Sequence, residues 1–389
     1  MHKELETVGS STKRIIISGY YGFKNSGDEA VLQSILLALA AESVKQGITI
    51  EPIVLSIDPE RTSRTYGVQS VHRMRLAPVL KAIRQSHGLI SGGGSLLQDA
   101  TGRKSIPYYL GIIKLAQWLG KPTFIYAQGV GPVQSKTFHP FIRSIFRKCR
   151  YVSVRDEESA QLLQHIGLPR EQLEVVPDPV MGLPLQAGDG LNVNTLSGTD
   201  PNIAGGSSKP IIGVSVRIWN ENRSELHQLA KSLQLIQAER DVHICFLPFH
   251  LPGDIEASQI VIEHMQAAGN VSIAEDLVHP QQMLAAVKAC DLLIGMRLHS
   301  LIYAASQRVP LIGISYDPKI DQFLHRLDMK AAATTNEFIP EDLAATAIEL
   351  LTDKGQVDWV ESKKASITKL QSEAHRPAQQ IVNYLVYRG

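Results

Sequence analysis

A chain of 389 residues exceeds one ordinary hydrophobic core, so two domains are expected. With 44% hydrophobic and 20% charged residues it reads as a folded, soluble, enzyme-like protein, and a net charge of +1 gives no global attraction to nucleic acid. Cys149, Cys245 and Cys290 form no C-x-x-C pair, and no apolar run reaches the ~20 residues that span a bilayer. Reduced core thiols and a cytoplasmic location are therefore expected.

The polar stretch 1–13 is expected to be an N-terminal arm. Residues 14–18 are a β-branched run ended by Gly19, a first strand, and 29–42 carry apolar residues at helical spacing. Strands follow at 50–57, 89–91, 123–126, 151–154 and 174–176, with a helix at 106–119. Between 185 and 208 glycine, asparagine and serine dominate, which marks a flexible linker. The alternation restarts with strands at 211–216, 243–247, 271–273, 292–294 and 311–314. Helices fall at 226–236, 281–288, 341–351 and 360–371. Strands alternating with helices imply parallel sheets. The expected architecture is α/β: two doubly wound Rossmann-like domains, 14–184 and 209–372, facing a cleft. A terminal helix at 373–389 has the option of crossing back.

Chemistry concentrates where strands end. Gly295-Met296-Arg297-Leu298-His299-Ser300 joins a buried strand to a helix, and such junctions favour anions. Arginine grips carboxylate or phosphate, and histidine moves protons near neutral pH. Arg217 ends the strand 214–216, and His250 follows 246–249, so both share the same predicted rim. Tyr316-Asp317-Pro318-Lys319 is a further rim candidate. In the first half, the loop Gly19 to Glu29 offers Asn25 and Ser26 to sugar hydroxyls or phosphate, and Asp28 reads equally as a helix cap. Gly92-Gly93-Gly94 and Gln128-Gly129-Val130-Gly131-Pro132 also follow strands and are expected to leave backbone open to a ligand. Asp156 reads as a helix cap and Asp178 as a rim residue. No G-x-G-x-x-G, Walker or H-E-x-x-H motif occurs.

Gly19-Tyr20-Tyr21-Gly22 with Asn25-x-Gly27-Asp28-Glu29, the Gly92 triplet, Gln128-Gly129-x-Gly131-Pro132, Val154-Arg155-Asp156, Asp178-Pro179 and Arg297-Leu298-His299-Ser300 together resemble the polysaccharide pyruvyl transferases. More narrowly they resemble the bacterial CsaB-type cell-wall pyruvyltransferases. The ordered set runs from the first strand to about Lys319. The resemblance implies a GT-B-like fold with the donor in the C-terminal domain. It implies transfer of pyruvate from phosphoenolpyruvate to a sugar, as a cyclic ketal. The implied acceptor is a β-N-acetylmannosamine of a secondary cell-wall polymer precursor, carried on a polyprenyl diphosphate and bridged through its 4- and 6-hydroxyls. The ketal then serves surface-layer protein anchoring.

On this reading Arg217 and Arg297 clamp phosphoenolpyruvate, with Ser300 and Lys319 beside them. His299 is the general acid, and Asp28, from the N-terminal domain, is a base or a hydroxyl ligand. Asn25, Ser26, Gly92, Gly93, Gly94, Gln128 and His250 line the acceptor or the rim. No metal or cofactor is required, because arginines supply the charge. A lipid-linked acceptor would bring the protein to the inner membrane face, and the apolar helix start at 106–114 is either a lipid contact or packed core. Two rivals stand beside it: a GT-B glycosyltransferase using a nucleotide sugar, and a non-catalytic binder of anionic sugars. The helix 300–307 lacks the acid that would hold a ribose, and the histidine beside Arg297 favours catalysis over simple binding.

Overall fold

Short runs rich in isoleucine, valine and leucine alternate with amphipathic stretches, and each run becomes a strand of a parallel sheet. The computed structural model describes residues 12–99, 105–186, 209–266, 270–275, 277 and 279–388. Most of the expected arm (1–11) and linker (187–208) lies outside the described residues. The chain divides into two compact units. The first comprises residues up to 23, then 31–179 and 374–388; the second comprises 24–30 and 180–373.

The elements of the first half are β1 (Thr12–Ser18), α1 (Ser26–Gln46), β2 (Thr49–Ser56), α2 (Pro59–Tyr66), β3 (Gln69–His72), α3 (Leu76–Gln85), β4 (Gly88–Gly92), β5 (Ser95–Leu97), α4 (Ser105–Trp118), β6 (Thr123–Val130), α5 (His139–Phe146), β7 (Tyr151–Val154), α6 (Glu157–Ile166) and β8 (Leu173–Val175). The strands run in the order β3-β2-β1-β4-β6-β7-β8, all parallel, with β5 paired to β6. β4 and β6 are buried along their whole length, as strands covered on both faces must be. β6 carries a register shift between Ile125 and Gln128, where Ala127 adopts a left-handed φ of 43°.

The second half contains β9 (Ile211–Ser215), α7 (Ser224–Glu239), β10 (His243–Phe246), α8 (Gly253–Met265), β11 (Val271–Ile273), α9 (Pro280–Lys288), β12 (Leu292–Gly295), α10 (Leu298–Ser306), β13 (Leu311–Ser315), α11 (Pro318–His325), β14 (Ala333–Thr334), α12 (Pro340–Leu350), α13 (Asp353–Glu373) and α14 (Arg376–Tyr387). Its sheet runs β11-β10-β9-β12-β13-β14, again all parallel. Both sheets therefore reverse direction once, between β1 and β4 and between β9 and β12. Ligands of open parallel sheets bind outside the strand ends at such a reversal.

Separate cores hold the two units. One gathers Ile16, Leu55, Ile83, Ile113, Phe146 and Val152; the other gathers Val214, Leu229, Ile244, Phe246, Ile294 and Ile314. The final helix α14 groups with the first unit, where Ile381, Val382 and Leu385 are buried and Tyr384 stands edge-on to Phe124 at 5.4 Å. All three cysteines are free and buried. Burial pushes the Cys149 thiol up to about 12 and the Cys245 thiol up to about 11, so neither ionises near neutral pH. Among the described residues no helix is long and apolar enough to cross a membrane.

Candidate functional site

The parallel register of the second sheet sets the site. Gly295 of β12 sits opposite Ser215 of β9, so Arg297 and Arg217, each two residues further on, leave adjacent strands at one level. They flank the reversal of strand order. Arg217 donates from Nη1 to the Tyr316 hydroxyl at 2.9 Å. Its guanidinium lies 4.6 Å from the Tyr316 ring and 5.0 Å from the Trp219 ring. These contacts orient the cation without neutralising it, and no carboxylate pairs with it among the described residues. Its Nε is buried and has no hydrogen-bond partner among the described residues, and neither does Ser215 Oγ at the same strand end. Orphaned polar atoms at a strand-order reversal are what a ligand oxygen would satisfy.

Arg297 is situated differently. Asp254, at the start of α8, takes its Nε at 3.1 Å and also its Nη2, a two-pronged pair with Asp254 only 1% exposed. The same carboxylate accepts the backbone N–H groups of Phe249 and His250 at 3.1 and 2.9 Å. Arg297 is thus a partly neutralised cation, and Asp254 anchors the loop that carries His250. Sequence reasoning missed Asp254; the available signal was an acid at a helix start four residues after His250. Burial lowers the His250 pKa first, and the positive charges of Arg297 and Arg217 add to this against Asp254, so its neutral form is favoured.

The segment 24–30, expected in the N-terminal domain, groups with the second unit. Ser26 N donates to Phe249 O at 2.9 Å, and Asn25 forms an isolated antiparallel bridge with His250. The imidazole of His299 fills the space where a side chain on Gly27 would lie. Asp28, Asn25, His250 and His299 therefore share one unit, and glycine at 27 is required by the close approach of the ring. Asn25, expected to meet ligand, caps α1 instead, with Oδ1 accepting from Gly27 N at 3.0 Å and Asp28 N at 3.3 Å. Asp28 is not the cap and sits half-buried in the first turn of α1.

Other expected contacts are displaced inward. Ser26 is buried, its hydroxyl 3.2 Å from the Tyr303 hydroxyl, which itself donates to Ser26 O. Ser300, expected on the donor, is fully buried, and its hydroxyl donates to Arg297 O at 2.7 Å, fixing the turn. Lys319 pairs with Asp317 at 3.0 Å, and Asp317 caps α11 by accepting from Lys319 N.

Gly92, Gly93, Gly94 and Gln128 form a separate group in the first unit, and all four are buried rather than open on a rim. Gly92 O accepts from the Tyr21 hydroxyl, Gly93 N donates to Tyr126 O and Gly94 O accepts from Gly129 N. Gly93, at φ 55°, leaves room for Val31 of α1, so the glycine at this position permits close helix packing. Gln128 Oε1 accepts from Ser91 at 3.1 Å, while its Nε2 and Ser18 Oγ have no partner among the described residues. These orphaned atoms mark the strand-order reversal of the first sheet. Nearby, Arg155 joins Ser95 at 2.7 Å and Asp178 at 3.2 Å, and Asp156 caps α6 through Ser159 N. Asp178 is therefore an internal ion partner and not a rim residue.

The fold is shared with solved structures of low identity. A UDP-GlcNAc 2-epimerase from Methanocaldococcus jannaschii has a TM-score of 0.65 at 14% identity, covering 97% of this chain and 99% of that one. UDP-GlcNAc 2-epimerase from Neisseria meningitidis bound to UDP-GlcNAc gives 0.63 at 10%, covering 95% and 100%. A glycosyltransferase from Rickettsia africae gives 0.62 at 12%, covering 98% and 100%. These likenesses make the fold GT-B-like. No curated protein sequence matches the chain. The family model described as polysaccharide pyruvyl transferase, in contrast, matches residues 25–318. That span is most of the chain and holds the strand-end arginines, His250, His299 and the Asn25 cap, so the protein belongs to the polysaccharide pyruvyl transferase family.

Proposed function

We propose that the protein transfers the pyruvyl group of phosphoenolpyruvate to a sugar diol, closing a 4,6-ketal and releasing phosphate. The observation that carries the reading is Arg217: a guanidinium with no carboxylate partner among the described residues, oriented by Tyr316 and Trp219, with a buried, unsatisfied Nε. A donor bearing both carboxylate and phosphate needs at least one such uncompensated cation, and Arg297 beside it contributes the charge that Asp254 leaves over.

The reaction balances on these residues. A proton added to the methylene carbon of the enol makes C2 electrophilic, and one sugar hydroxyl oxygen bonds to it. The C2–O bond to phosphate breaks, and the second hydroxyl closes the ring. Of the two hydroxyl protons, one replaces the proton delivered to carbon and the other leaves with hydrogen phosphate. His299, held against Gly27, is the proton donor in this scheme, and Asp28 in the same unit is the candidate acceptor of a hydroxyl proton. His250, neutral before the donor arrives, gains a proton when the phosphate settles near it, because an anion favours imidazolium.

The acceptor is taken to be a β-N-acetylmannosaminide of a lipid-linked wall-polymer precursor, acting at the cytoplasmic face. The test is incubation with phosphoenolpyruvate and a β-N-acetylmannosaminide disaccharide, followed by product mass. A product heavier by pyruvate less water supports ketal transfer. Sugar transfer from UDP-GlcNAc in its place would favour the chemistry named for the fold's relatives. α10 carries no acid to hold a ribose, which speaks for the first outcome.

A further inference from the structure

Residues 61–155 contain sixteen lysines and arginines and a single acid, Asp99, in a chain whose net charge is only +1. Four of these, Lys81, Arg84, Lys114 and Arg143, lie on α3, α4 and α5, with Arg75 and Arg147 at helix ends, and the three helices pack in sequence as one layer of the first unit. α3 turns Val79, Ala82 and Ile83 inward and leaves Arg75, Lys81 and Arg84 exposed. Between α3 and α4 runs an apolar groove of about 380 Å³. Met74 and Leu76, each 64% exposed, and Trp118, 74% exposed, stand along it. Gly111 forms part of the lining, and a side chain there would meet nothing within 4 Å. Below the groove Arg73 is buried and donates to Gly19 O, with its guanidinium 4.2 Å from the Tyr108 ring. The Lys114 ammonium stands 5.5 Å from the Trp118 ring. No aspartate or glutamate occurs in β3, α3 or α4.

Single exposed apolar residues are ordinary on any surface. Three beside one open apolar groove, in a field of one sign, are a different matter. Basic residues attract an anionic surface, and leucine, methionine and tryptophan gain free energy only where acyl chains begin. A nucleic acid would use the bases but has nothing to offer Met74 and Leu76.

We propose that this α3–α4 face docks on an anionic phospholipid bilayer. Met74, Leu76 and Trp118 enter the boundary between headgroups and acyl chains, and Arg75, Lys81, Arg84 and Lys114 meet lipid phosphates. The inference goes beyond pyruvyl transfer and does not depend on it, since its readout is binding alone.

The test is co-sedimentation of the full chain with phosphatidylglycerol-containing vesicles and with phosphatidylcholine vesicles, together with tryptophan fluorescence. Binding to the anionic vesicles, a blue shift lost in Trp118→Phe, and weakening with added salt are expected. The triple variant Arg75→Glu/Lys81→Glu/Arg84→Glu should lower partitioning by about a hundredfold or more. Leu76→Ser/Trp118→Ser should lower it by about tenfold or more. Melting curves report whether each variant folds, and Gly111→Asp, which places an acid in open space, serves if the others do not. Equal binding to neutral vesicles, undiminished binding by the folded variants, or binding to RNA without binding to vesicles would overturn the proposal.

Discussion

Two arginines at equivalent strand ends carry different duties, and their variants should separate them. Arg297→Met strands the buried Asp254 carboxylate and should cost about 3–5 kcal/mol of stability in denaturant titrations. Arg217→Met loses only ring contacts and one hydroxyl partner, about 1 kcal/mol, yet should weaken phosphoenolpyruvate binding. His250 reports on the same pair. Its pKa is held below the ordinary 6.5 by burial and then by Arg297, so Arg297→Met, which leaves Asp254 in place, should raise it in an NMR titration of the ring. Because the folded value lies below the unfolded one, the His250 contribution to stability is present above about pH 6.5 and is lost as pH falls toward the folded value. Denaturation midpoints measured down that range should fall less steeply in His250→Gln. The strand-end positions of Arg217, Arg297, His250 and His299 were legible from apolar runs alone. Asp254, Tyr316 and Trp219 as their partners were not, because pairings across tens of residues leave no periodic trace.

At the scale of elements, the helix starts explain what the sequence conceals. Asx residues at a strand-to-helix junction look alike as ligands and as caps, and here Asn25 and Asp317 are caps while Asp178 is an ion partner. The glycine motifs were legible as turns, but their use was not: Gly93 admits Val31, and Gly27 admits His299. A methyl group at Gly27 has to displace the imidazole, so Gly27→Ala should reduce turnover about a hundredfold with the chain still folded by circular dichroism. Gly111, mid-helix with open space around it, predicts the reverse sign. Gly111→Ala should stabilise the protein by about 0.5–1 kcal/mol, read as a higher melting temperature. The parallel alternation was readable because buried strands are near-continuous apolar runs. Short strands such as β3 and β5 escaped, since three or four residues carry too little pattern.

At the scale of the whole chain, two Rossmann-like sheets have their own cores, and each reverses its strand order once. The last helix belongs with the first sheet, although the sequence between them is the entire second half. Deleting 374–389 would uncover Phe124 and remove Ile381, Val382 and Leu385, at roughly 1.5–3 kcal/mol each, comparable in sum with the stability of a domain. Limited proteolysis of the truncated chain should therefore cut the first unit and spare the second. The central claim, that the second unit holds an anionic donor on Arg217, is tested most directly by calorimetric titration of phosphoenolpyruvate into the native protein and Arg217→Met. Saturable binding in the native protein, weakened about tenfold to a hundredfold in a folded Arg217→Met variant, is the predicted result. Equal affinity in both, or no binding of phosphoenolpyruvate where UDP-GlcNAc binds, would contradict it.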